Sequence, residues 1–382
     1  MQRAMTEPTN LPNPAPATAD ATPLEWVRGE IRGSLAEAAQ QVRAFLVAKT
    51  DPAPLRAARD HLHQVNGALH MLDLRGVTQV VEAAERLVAL WESNPRECLP
   101  SAVRSLEATF AAVRNYLDGL IRGRDEPPIR LYPYYREILV LLGAPRIHPA
   151  DLLFPDLGRN PPAEQISVRP LSTDELRVRR VRYEEGLLRF LRDPENTLAR
   201  SQMRDAVADL EGMPQRRSSR TFWWIVRGLF DALEVSGLSA DEDCKRLFAR
   251  INQQILRQLE GSFAIADRLM TDAIFHAARA DRRVARVGEI RALFDLDTLV
   301  PNDFERATLT TIDTEALHEL KSAIGQCKAL WGQTGPAQPG NAGAAKAGSA
   351  AALRSEPEPA DPFGRAAQAA HRLGADAAAN LI

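Results

Sequence analysis

The chain has 382 residues, 45% of them hydrophobic and 26% charged, with a formal net charge of −2 at pH 7; it has room for two or three domains with ordinary cores. The near-neutral balance excludes a global electrostatic footprint for nucleic acid or an anionic bilayer. No apolar run reaches the roughly 18 residues of a spanning helix, so membrane insertion is not expected either.

Residues 1–22 carry Pro8, Pro12, Pro14 and Pro16 among Thr, Ala and Asn. Repeated prolines block helix and strand alike, so this is a disordered leader, and it lacks the apolar segment of a secretory signal. A cytoplasmic protein is expected. From Pro23 a helical pattern begins, with Val27, Ile31, Leu35, Val42 and Phe45-Leu46 on one face and proline suited to a helix start. A second helix contains Leu55, Leu62, Val65, Leu69 and Leu72, spaced by three, four or seven residues as a buried stripe. His63, Asn66 and His70 fall at i, i+3 and i+7 on another face, which is predicted to point at water or a partner. Gly67 stands beside them, where glycine disfavours a helix by about 1 kcal/mol against alanine, so a packing or docking reason is expected. His61 and His70 do not stand at a metal-pair spacing from His63.

A third helix follows Gly76 through Val80-Val81, Leu87-Val88 and Trp91, and a fourth runs from about Ser101 to Leu120 with Val103, Leu106, Phe110, Val113 and Leu117 inward. Four amphipathic helices with short connections predict an antiparallel four-helix bundle over residues 23–124. Residues 125–171 form a connector opened by Asp125-Glu126-Pro127-Pro128. Its Tyr132, Tyr134 and Tyr135 are read as a packed joint, since aromatics among prolines clamp loops onto cores.

Ser172-Thr173-Asp174-Glu175 is a capping signal that opens a second helical-bundle domain over residues 172–333. Helices are predicted near 173–193, 197–212, 219–236, 240–259, 262–279 and 313–331, and strand signals are almost absent, so the fold class is all-α. His63 through Gly76 matches Trp224 through Gly237 with constant spacing, Gly67 meeting Gly228, which suggests a degenerate repeat. The Phe222-Trp223-Trp224 run is read as core packing between helices. Asp241-Glu242-Asp243 and Asp313-Thr314-Glu315 are first-turn acids that complement a helix dipole, not metal clusters. Cys98, Cys244 and Cys327 are widely spaced and indicate neither a disulfide framework nor a zinc site; no metal and no cofactor are expected. Residues 334–382, rich in Ala, Gly and Pro, read as a flexible tail.

The run His63-Gln64-Val65-Asn66-Gly67-Ala68, continuing to Met71-Leu72-Asp73-Leu74, resembles the phosphoaccepting helix of histidine phosphotransfer (HPt) domains, which are four-helix bundles. A longer set, adding Leu153-Phe154-Pro155-Asp156-Leu157, Tyr183-Glu184-Glu185-Gly186-Leu187-Leu188 and Phe222-Trp223-Trp224, is similar to the N-terminal region of ChpA/PilL-type chemosensory hybrid kinases and to the FimL family. This resemblance implies signalling in a type IV pilus, twitching-motility system, with His63 as candidate phosphoacceptor and Asn66 and Gly67 as phosphoryl-orienting and docking positions. The implied partners are a response-regulator receiver domain, which supplies its own Mg²⁺, and chemosensory kinase or pilus-control proteins. Asn66 stands where HPt domains usually carry lysine, and an amide donates a hydrogen bond but no charge. Three readings therefore stay open: an HPt-like phosphorelay protein, a non-phosphorylated FimL-like scaffold, and the N-terminal fragment of a larger hybrid kinase. No Asp-x-Gly-x-Gly nucleotide box is present, so the chain is not expected to be an enzyme in its own right.

Overall fold

Apolar residues three and four apart turn almost every segment into an amphipathic helix, and the architecture follows from how those stripes meet. The computed structural model describes residues 21–48, 51–161, 171–208, 210, 217–306, 320–324 and 326; among them there is no strand, and the chain is all-α. Helix α1 (Ala21–Ala48) buries Leu24, Ile31, Leu35, Val42 and Phe45, and α2 (Ala53–Met71) buries Leu55, Leu62, Val65 and Leu69. Asp73, in the left-handed region at φ 51°, turns the chain into α3 (Arg75–Ser93); a short polar side chain tolerates that conformation. Helix α4 (Pro100–Ile121) starts on a proline whose missing N–H has no helical partner to lose. All the inward residues expected of α4 are buried.

Around this group α1 adjoins both α2 and α4, and α2 adjoins α3. The side between α3 and α4 receives α5 (Tyr132–Leu141), which packs on both, so part of the predicted connector completes the helical ring. Tyr132, Tyr134 and Tyr135 are buried there, as a packed joint requires. The closest approach is at Gly76, where an added Cβ would lie 2.3 Å from Pro128 Cβ and 3.3 Å from Phe154 Cε2. Neither a proline ring nor a buried helix start yields easily. Gly76→Ala is therefore expected to lower the unfolding free energy by about 1–3 kcal/mol in a denaturant titration, despite alanine's better helix propensity.

Helix α6 (Thr173–Arg192) opens with a complete capping box: Glu175 N–H donates to Ser172 Oγ at 3.2 Å, and Ser172 N–H to Glu175 Oε2 at 2.8 Å. Helices α7 (Thr197–Val207), α8 (Arg217–Glu234), α9 (Glu242–Leu259) and α10 (Asp267–Arg279) follow. Helix α8 is central, against α7 and α10, with Phe222, Trp223, Trp224, Leu229 and Phe230 all buried. Asp241 caps α9 by accepting from Cys244 N–H at 2.9 Å. Two helices were not anticipated, α11 (Ala285–Phe294) and the single turn α12 (Leu296–Leu299). In α11 only Val287, Ile290 and Phe294 face inward among charged neighbours, a stripe too short to stand out. Gly228 packs against α11, where an added Cβ would meet Ile290 Cδ1 at 2.6 Å.

The chain divides into two compact units, Met1–Leu309 and Thr310–Ile382, and the helices named so far belong to the first. In the second, Leu320–Ile324 and Gln326 are helical; the other residues of the helix expected at 313–331, the 334–382 tail and Cys327 lie outside the described residues, as does the leader up to residue 20.

Candidate functional site

The face of α2 carrying the histidines is clasped by carboxylates of α3. Arg59 pairs with Glu92 at 2.6 Å and Arg56 with the same residue at 3.1 Å. One turn and three turns beyond Arg59, His63 Nδ1 lies 3.2 Å from Glu85 Oε1, and His70 Nε2 lies 3.1 Å from Glu82 Oε1. The antiparallel course of the two helices produces this ladder.

His63 is where the sequence places it, on the surface of α2 with its side chain 81% exposed. Because a carboxylate only accepts, Glu85 selects the tautomer or ion whose Nδ1–H donates to it; in the neutral ring the Nε2 lone pair is then the free nucleophile. Asn66 corrects the sequence reading. It is only 5% exposed, not on the solvent face, because its amide turns into the α2–α3 seam and Nδ2 donates to Glu85 Oε2 at 2.5 Å. Its Oδ1 is buried without a hydrogen-bond partner; flipping the amide would set that oxygen against the carboxylate, so this orientation is the favourable one. One carboxylate thus holds both candidate residues. The group that His63 meets across the seam is thus an anion, Glu85.

Gly67 is exposed, and an added Cβ there would have nothing within 4 Å. No packing among the described residues accounts for this glycine. It differs in that respect from Gly228, its counterpart in the proposed repeat, and Trp224, at the position matching His63, is fully buried. Beside Gly67 an open cleft of about 1240 Å³ runs between α2–α3 and the start of α10, lined among others by His63, Gly67, Arg86, Phe154, Asp156 and Arg268. The far wall is the Leu153–Leu157 stretch singled out in the sequence. Among the described residues, no three or more His, Cys, Asp or Glu side chains are grouped to hold a metal ion, and no helix is long and apolar enough to cross a membrane.

A second polar assembly, invisible in the sequence, fastens that wall. Asp272 on α10 is 3% exposed and accepts from Arg146 through Nη2 at 2.6 Å and Nη1 at 3.2 Å, and from Arg250 Nη1 at 2.6 Å. Arg146 also donates through Nε to Asp151 at 3.2 Å. Two buried histidines lie against this network, their ring centroids 5.9 Å apart. His148 Nδ1 accepts from Ala150 N–H at 3.1 Å, and burial together with the Arg146 charge pushes its pKa down to about 3. Burial likewise takes His276 down to about 4, and its Nε2 is left without a partner. Both rings are neutral at pH 7. Arg146 and His148 lie more than a hundred positions from Asp272 and His276, so no local spacing signals the assembly.

Comparison with known proteins places both halves of this unit. Residues 22–128 match the family described as FimL C-terminal domain, and residues 171–307 match the one described as FimL scaffold protein second domain. The chain is 26% identical over 286 residues to the scaffold protein FimL of Pseudomonas aeruginosa; the match covers 73% of this chain and 50% of that protein. The chain thus spans about half the length of the curated relative it matches. It is related to FimL over these regions. No solved structure matches.

Proposed function

We propose that this chain is a scaffold in a cytoplasmic chemosensory system that controls type IV pili, and that it recruits partner proteins through the α2–α3 face beside the cleft. The observation that carries this reading is the orientation of Asn66. The residue at the position where HPt domains usually carry a lysine turns inward to Glu85, so a phosphoryl group on His63 would have the Glu85 carboxylate beside it, with no cation supplied at that position. Such groups repel the transferring charge, whereas phosphoryl transfer is accelerated by cations beside it. Gly67 supports docking, since its cost in helix propensity has no return among the described residues. The relative's name, a scaffold, and the pilus-control resemblance of the sequence set the class of partner: chemosensory kinase or pilus-control proteins.

One observation favours a second reading, phosphotransfer at His63. The ring is exposed and Glu85 fixes the tautomer that leaves Nε2 free, as a nucleophile attacking a receiver phospho-aspartate requires.

The two readings separate on substitutions at adjacent positions. Gly67→Ala is expected to raise the unfolding free energy by up to about 1 kcal/mol, because it gains helix propensity in open space. Gly67→Leu should fold as well, yet place a bulky group on the docking face and abolish both partner capture and twitching motility. His63→Gln should leave both intact and give no difference in acid-labile label after incubation with phosphorylated receivers. A label that His63→Gln removes and Asn66→Lys increases, with motility lost in the His63→Gln strain, would reverse the order of the readings.

A further inference from the structure

Helix α6 has two apolar faces, and among the described residues only one of them is covered. Leu176, Tyr183, Leu187 and Phe190 are buried against the rest of the unit. On the opposite side Val178, Val181 and Leu188 are 55%, 53% and 59% exposed. With Asp174, Glu185 and Arg192 they recur at alternating steps of four and three residues, the spacing of a coiled-coil seam. Helix α7 flanks this seam on one side, where the Gln202 amide donates to Glu185 at 3.5 Å and Arg189 donates to Gln202 at 2.8 Å. Helix α9 flanks the other, where Asn252 donates to Glu184 at 3.1 Å. The seam between them is open.

We propose that this seam is a self-association surface, on which α6 of one copy pairs antiparallel with α6 of a second copy. The charges along it argue for that occupant. A two-fold axis beside Tyr183 sets Val178 against Leu188 of the second copy and Asp174 against Arg192, each contact occurring twice. The same register lays Val181 against Glu185 and brings Arg182 next to that carboxylate. Asp174 is 88% exposed and pairs only with Arg177 on its own helix, at 2.8 Å, among the described residues, and there Arg182 and Arg192 meet no carboxylate at ion-pair distance. The ends of the seam are thus complementary to each other under reversal of direction, which an in-register parallel pair would not satisfy. The helix offers about 30 Å of length, and such a seam alone is smaller than a standard interface, so a weak dimer is expected, with a Kd of about 10–100 µM.

Sedimentation velocity of the full chain between about 1 and 300 µM is expected to show a monomer–dimer equilibrium in that range. Val181→Lys with Leu188→Lys, at exposed positions, should raise Kd at least tenfold while leaving circular dichroism and the thermal midpoint unchanged. Asp174→Arg and Arg192→Asp should each raise Kd several-fold, and the two together should restore it to within about threefold of the starting value. That rescue reads the antiparallel register, which loss of packing alone would not produce. A chain that stays monomeric throughout, as when the seam serves another protein or is covered by another part of the same chain, overturns the proposal. So does a dimer indifferent to the lysine substitutions, or a charge reversal without rescue.

Discussion

Lowering the pH from 7 to 5 should remove about 4 kcal/mol of stability through His148 and His276 alone. Both have an ordinary value of 6.5 when unfolded, and in the folded chain they are held at about 3 and about 4. The sign follows from which state binds protons. Below pH 6.5 the unfolded chain gains protons that the folded chain refuses, so the stabilisation present above 6.5 is lost progressively as pH falls toward the folded values. At pH 5 each residue has lost about 2 kcal/mol, since one pKa unit corresponds to about 1.4 kcal/mol. The charges around the rings act in both directions: Arg146, Arg250 and Arg279 oppose protonation of one or both, while Asp241 and Asp272 favour it at His276. Burial outweighs them. His148→Asn keeps an acceptor for Ala150 N–H, and His276→Gln keeps a neutral polar group of similar reach. Urea unfolding at pH 7 and pH 5 should therefore show a loss smaller by several kcal/mol in the doubly substituted chain than in the native one. Equal losses would mean that the rings are not held neutral.

Why these histidines escaped the sequence reading shows what periodicity can deliver. The buried stripes of α2, α4 and α6 are fixed by spacings of three and four, so the helices, their inward residues and the Ser172–Glu175 cap could be read from the chain. The exposed position of His63 followed from the same pattern. Asn66 did not, because helical spacing says which side of α2 a residue occupies but not where α3 will lie, and Glu85 is nineteen residues further on. Its burial is a property of the pair of helices. The Gly67 signal is a cost in propensity, whereas its cause depends on knowing that none of the described residues lies above it. Gly76 shows the reverse case, a glycine demanded by Pro128, more than fifty residues away.

Asp272→Ala should be the most damaging single change to the polar structure, at about 3–5 kcal/mol in equilibrium unfolding. The carboxylate is 5% exposed and Arg146 is 20% exposed, so its removal leaves a guanidinium out of water with its bidentate partner gone and Arg250 facing it. Coulomb attraction in such a site is large, but so is the cost of dehydrating the charges; breaking the pair therefore harms far more than replacing it. Arg146→Met combined with Asp272→Leu should recover much of the loss, since Arg250 is 44% exposed and can turn to water. Glu242→Ala, which breaks an exposed pair with Arg246, should change stability by less than about 1 kcal/mol and so controls for the loss of any one carboxylate. A consequence follows for the proposed docking face. Arg146 and Asp151, held at Asp272, precede the Leu153–Leu157 wall of the cleft opposite His63. In Asp272→Ala, hydrogen exchange should quicken through residues 144–157 before it does in α2, and partner capture should weaken although no residue of the α2–α3 face has changed. Capture undiminished in a chain whose wall has loosened would confine docking to α2 and α3.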